Sequence, residues 1–128
     1  MPEQLKYDDV THRIIGCAMR VHSALGNGFV ESVYQNSLEI EMKSEGLAFE
    51  REKVMSIFYR NIEVGRRRVD FFVENLIMVE LKAIIETEDV HLAQALNYLE
   101  AYNIEIGLLI NFGSKSLIFK RLINKKFK

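Results

Sequence analysis

The chain has 128 residues, 48% of them hydrophobic, and a net charge of −1; that suffices for a single domain, residues 1–128, with its own core, and excludes both a stapled miniprotein and a protein drawn to nucleic acid by overall charge. Its one cysteine, Cys17, rules out an intrachain disulfide and fits a reducing cytosol, so a cytoplasmic protein is expected. The opening Met1–Asp9 lacks the apolar stretch of a signal peptide, and no run of about 18 apolar residues is present to span a membrane.

Residues 8–25 are predicted helical, because Val10, Ile14, Cys17, Ala18, Val21 and Leu25 recur at helical spacing, and Gly26-Asn27-Gly28 ends the pattern. A second helix runs from Val30 to Glu45, with Gly46 as its stop. Lys53–Arg60 reads as a strand closing on a turn at Arg60-Asn61. Glu63–Val73 and Leu76–Ala83 then form a hairpin. Alternation puts Val69, Phe71 and Val73 on one face and Arg66, Arg68, Asp70 and Phe72 on the other; on the partner strand Ile77, Val79 and Leu81 oppose Met78, Glu80 and Lys82. A two-residue turn would set Asp70 against the wrong face, so a three-residue loop, Glu74-Asn75-Leu76, or a nearby bulge is predicted. A third helix covers Glu88–Tyr102 with Thr87 as N-cap, and Glu105–Asn111 and Lys115–Arg121 complete the strands. The basic tail, Lys120–Lys128, is expected to fray. The order ααβββαββ describes an α/β (α+β) domain with helices flanking one mixed sheet.

Asp70, Glu80 and Lys82 are charges inside apolar strand patterns, where charge is costly unless paired or metal-bound. Two carboxylates on adjacent strands, with the Leu81 backbone carbonyl between them, suit Mg²⁺ or Mn²⁺, and Lys82 on the Glu80 face can reach an activated water. The same residues also suit a plain ion pair across a hairpin. Arg66 and Arg68, on the carboxylate face, are candidates for phosphate contact or for pairing with Asp70, Glu80 or Glu31. His91, one helical turn before Gln94, is expected at a pocket edge touching phosphate. His12, His22 and Cys17 are expected to be helix-face or packing residues.

Gly28, Glu31 and Tyr34 match the motif of the GxxExxY proteins, a group assigned to the PD-(D/E)xK nuclease superfamily. The resemblance continues through Gly65…Arg68-Val69-Asp70, Val79-Glu80-Leu81-Lys82-Ala83, His91-Leu92-Ala93-Gln94…Tyr98 and Gly107–Gly113. It implies a restriction-endonuclease-like core. It also implies Asp70 and Glu80 as metal carboxylates, Lys82 as the catalytic lysine, and Glu31 as the supporting helix glutamate of RecB-like and phage exonuclease-like members, acting directly or through water. Gln94 and Tyr98 resemble that branch's QxxxY motif, which bounds the active site and touches substrate; Tyr34 falls with them among the substrate-facing positions. Asn27 stands where the family often has proline. The implied activity is Mg²⁺-dependent phosphodiester hydrolysis, on DNA ahead of RNA, with a homodimer as one way to build a larger basic groove. A catalytically silent nucleic-acid-binding or oligomeric interaction module on the same fold is the competing reading.

Overall fold

The computed structural model describes residues 6–128; the stretch Met1–Leu5, included in the leader reading, lies outside them. Helices α1 (Asp8–Leu25) and α2 (Glu31–Ser44) precede strands β1 (Phe49–Tyr59), β2 (Ile62–Val73) and β3 (Ile77–Lys82); helix α3 (Asp89–Tyr102) leads to β4 (Ile106–Asn111) and β5 (Ile118–Ile123). One sheet has the order β1-β2-β3-β4-β5, with β3 and β4 parallel and every other pair antiparallel. The parallel pair needs a crossover, which α3 supplies. β4 is buried along its whole length, as its unbroken apolar run requires of a central strand covered on both faces.

The helices sit on both faces. On one, Ile14, Val21, Tyr34 and Leu38 of α1 and α2 pack on Phe71, Val79, Leu81 and Ile110. On the other, Leu99 of α3 packs on Val69, Met78 and Ile104. Odd and even positions of β3 therefore feed different cores, and Glu80 and Lys82 go to the α3 side together with Met78.

The hairpin register is the predicted one. Val73 pairs with Ile77, and Glu74 and Asn75 both take φ 54, so the loop is Glu74-Asn75-Leu76 and Asp70 comes level with Glu80.

Alternation along β2 breaks at Asp70. Val69 joins the α3 core while Phe71 and Val73 join the opposite one, so the predicted common face for these three is incorrect. The cause is local: across from Asp70, Glu52 of β1 takes φ 53 and drops out of the ladder, and both strands flip there. The flip moves Arg67 to the α3 face and sends Arg66 and Arg68 to the other. The tail does not fray as predicted: β5 runs to Ile123, and buried Asn124 donates to the carbonyls of Leu99 and Ile104 at 3.2 and 3.0 Å. The N-cap of α3 is Glu88, not Thr87, whose hydroxyl instead accepts from Asn111 at 3.2 Å.

Candidate active site

β2 and β3 pair only through Phe71–Val73 and Ile77–Val79. Beyond that the strands fork, and two acids fill the fork. Asp70 Oδ2 accepts the Leu81 N–H at 2.7 Å, and Glu80 Oε2 lies 3.5 Å from the Asp70 N–H. Each carboxylate thus reaches across to the other strand's backbone, taking hydrogen bonds that a continued ladder would have made. The Leu81 carbonyl projects from the same strand edge as its N–H, so it faces the same fork.

Glu80 is buried, with 3% of its surface exposed. Burial pushes its pKa up to about 7; Arg67 opposes the shift, and the neighbouring Asp70 carboxylate adds to it. Arg67 Nη1 pairs with Glu80 Oε1, and its guanidinium lies 4.2 Å from the centre of the Tyr98 ring. Arg67, Glu80, Lys82, His91, Gln94 and Tyr98 border a crevice of about 20 Å³, room for roughly one water. At the first turn of α2, Glu31 keeps contact with solvent, yet partial burial and then Asp70 push its pKa up, while Lys82 and Arg67 pull it down. One helix and two strands thus bring Glu31, Asp70, Glu80 and Lys82 into one electrostatic neighbourhood.

A model of the PD-(D/E)XK nuclease superfamily matches residues 8–122 of this chain. The chain belongs to the PD-(D/E)XK nuclease superfamily. Its five-stranded mixed sheet with flanking helices has the restriction-endonuclease-like arrangement expected of that superfamily. The solved structure of SSO0001 is similar, with a TM-score of 0.56 and 17% identity over 93% of this chain, and the chain spans 60% of SSO0001; that likeness concerns the fold. No curated protein matches the chain.

Nucleases of the PD-(D/E)XK superfamily generally use divalent metal ions. The donors of this PD-(D/E)XK domain fit such an ion: Asp70 keeps Oδ1 free of its bond to Leu81, Glu80 is one residue away along the fork, and the Leu81 carbonyl adds a neutral oxygen. Among the described residues no three His, Cys, Asp or Glu side chains form a metal-binding cluster.

The remaining predicted positions divide. Gln94 is exposed and Tyr98 half-buried at the crevice. His91 Nδ1 accepts the Glu88 N–H at 3.0 Å, which leaves the proton of the neutral ring on Nε2, a free donor. Arg66 pairs with Glu63, and Arg68 is exposed opposite Val54; neither lies on the face of the acids, contrary to the alternation argument.

Tyr34 is not at the site surface. It is fully buried and stacked on Phe112 at 4.7 Å; its hydroxyl donates to the Gly26 carbonyl at 2.6 Å and accepts from the Phe29 N–H at 3.1 Å. It holds the α1–α2 turn that starts α2 at Glu31. Tyr34→Phe is expected to cost about 1 kcal/mol in urea denaturation, since the hydroxyl's bonds to the Gly26 carbonyl and the Phe29 N–H are both lost, with substrate KM unchanged. A raised KM at unchanged stability would instead give Tyr34 a substrate role.

Sequence reasoning missed Arg67 and Gln35. Arg67 was hidden by the flip at Asp70, but Tyr98 and Tyr102, four apart on α3 and stacked at 5.8 Å, form a platform suited to a cation. Gln35 lies one turn after Glu31; its Nε2 is 3.5 Å from the Asp70 carbonyl and its Oε1 accepts from Arg51 at 3.3 Å.

Proposed function

We propose that the protein is a metal-dependent nuclease that hydrolyses phosphodiester bonds of DNA in the cytoplasm. The observation that carries this reading is the meeting of Asp70 and Glu80 at the β2–β3 fork, with Lys82 on the Glu80 face. Mg²⁺ or Mn²⁺ held by Asp70, Glu80 and the Leu81 carbonyl, with Glu31 reached through water, would supply an acidified water and offset phosphate charge. Lys82 orients the attacking water and stabilises charge developing on the phosphate. His91 donates through Nε2 to a phosphate oxygen, and Gln94 and Tyr98 border the bound strand, in keeping with a GxxExxY protein of the RecB-like and phage exonuclease-like branch. Arg67 pairs with Glu80, and would be free to pair with a phosphate oxygen instead were Glu80 a ligand of the ion.

One observation favours the competing reading, a silent nucleic-acid-binding module: Arg67, at the wall of the crevice, already pairs with Glu80. Cleavage decides between them. Lys82→Met is expected to slow Mn²⁺-dependent cleavage of labelled duplex DNA by about 10²–10³-fold, with unchanged folding and Mn²⁺ affinity. Equal rates for wild type and variant would mean that the cleavage comes from elsewhere.

A further inference from the structure

β2 has 12 residues, of which only Phe71–Val73 pair with β3. Past Asp70 it stays paired with β1 alone, so Lys53–Arg68 forms a two-stranded ribbon that leaves the sheet at the site. The face carrying Met55 and Val69 rests on α3 at the root. The other face, with Val54, Arg66 and Arg68, is exposed, as is the tip, where Phe58, Tyr59, Ile62 and Val64 are each more than 60% exposed. A bare ribbon with an apolar tip is marginally stable by itself and marks a contact surface. Its charge says what kind. Lys53, Arg60, Arg66, Arg67 and Arg68 face one acid, Glu63, in a chain whose net charge is −1. Five of the chain's 17 lysines and arginines thus lie on this ribbon beside the acid site, a local positive excess that complements a polyanion. From Arg67, at Glu80, the ribbon reaches roughly 17 Å to Ile62 at about 3.3 Å per residue.

We propose that this ribbon docks in the major groove of duplex DNA, with Arg66 and Arg68 on the flanking phosphates, while the backbone of the same duplex crosses the β2–β3 fork. The proposal rests on the nuclease reading for its second half and specifies the substrate form. A two-stranded β-ribbon fits the roughly 12 Å major groove of B-form DNA, whereas the deep, narrow major groove of A-form RNA does not admit it.

The test is fluorescence anisotropy with a short labelled duplex DNA, the matching duplex RNA and the single strand, in Ca²⁺, from about 50 to 200 mM salt. The full-length Arg66→Ser/Arg68→Ser protein should bind duplex DNA about tenfold more weakly, and its slope of log K against log salt should be shallower by about two, one for each lost phosphate contact. Ile62→Asp at the tip should also weaken binding. Unchanged affinity and slope in the double variant overturn the proposal, as does equal or tighter binding of duplex RNA or of the single strand. A dimer by light scattering that Ile62→Asp dissociates overturns it in favour of a second copy of the chain. Mn²⁺-dependent cleavage, scored separately, keeps the two readings apart: wild type that cleaves while the double variant binds normally removes the ribbon alone, and binding through the ribbon without cleavage removes the nuclease alone.

Discussion

Glu80→Gln is expected to abolish metal-dependent cleavage, by about three orders of magnitude or more, the scale seen when a central electrostatic group is removed from an active site, while the domain stays folded. The amide keeps the shape of the carboxylate but cannot hold a divalent ion against Asp70 with the same charge. The same variant has a second signature in the metal-free protein. Glu80 titrates near pH 7 in the fold, against an ordinary value of 4.5. Between those values the folded protein holds a proton that the unfolded chain has released, so stability falls as pH rises through this window and the loss is complete above about pH 7. This is the reverse of a salt-bridged acid with a depressed pKa. A shift of that size corresponds to about 3 kcal/mol. Urea denaturation at pH 4.5 and 7.5 should therefore show wild type losing about that much more stability than Glu80→Gln across the interval. Parallel pH profiles would mean that Glu80 is not desolvated, and that the fork is more open than its packing indicates.

Gly113→Ala is expected to lower stability by about 3 kcal/mol and to disable the site without touching a charged residue. A Cβ at Gly113 would lie 2.3 Å from both the N and the O of Ile84, and 2.6 Å from its C. Those are backbone atoms, so the main chain itself has to shift. Asn111, buried, donates to the Ile84 carbonyl at 2.9 Å and accepts the N–H groups of Ile84 and Gly113 at 3.0 Å. Phe112 N–H donates to the Lys82 carbonyl at 2.9 Å. The end of β4 thus fastens the segment that follows Lys82 and leads to His91. Pushing Ile84 away breaks this set and leaves buried polar groups unpaired. Gly28 is the control: nothing lies within 4 Å of a Cβ there, so Gly28→Ala should fall within about 0.5 kcal/mol of wild type, although Gly28 opens the GxxExxY pattern. Thermal denaturation of the two variants, with cleavage assays below both melting temperatures, checks the contrast.

What the sequence revealed follows from how local each signal is. The span of α1 was legible to the residue, because an apolar stripe over five turns ends on Gly26 at φ 78. The alignment of Asp70 with Glu80 was legible because side-chain parity in a hairpin depends on loop length alone. The face of Arg67 was not, since it turns on the backbone flip opposite Glu52, and a glutamate at positive φ has no sequence signature. The start of β1 was placed four residues late because Phe49–Glu52 carries charges that read as loop; Arg51 in fact reaches Glu39 of α2 at 2.8 Å. The tail looked loose from its lysines, while its anchor, Asn124, is a single polar residue whose partners lie about twenty residues away. Tyr34 shows the limit of motif reasoning: its place in the pattern is explained by the turn it holds, with no contact to a substrate needed.

The central claim is that Asp70 and Glu80 together bind a divalent ion at the fork. Calorimetric titration of the metal-free protein with Mn²⁺ at pH 8, where Glu80 is ionised, tests it most directly. One Mn²⁺ site per chain is predicted in wild type, with at least about tenfold weaker binding in Asp70→Asn, on the scale of removing a group that supports a metal centre. No binding by wild type, or equal binding by Asp70→Asn, would contradict the account and leave the fork as an ion pair with Arg67.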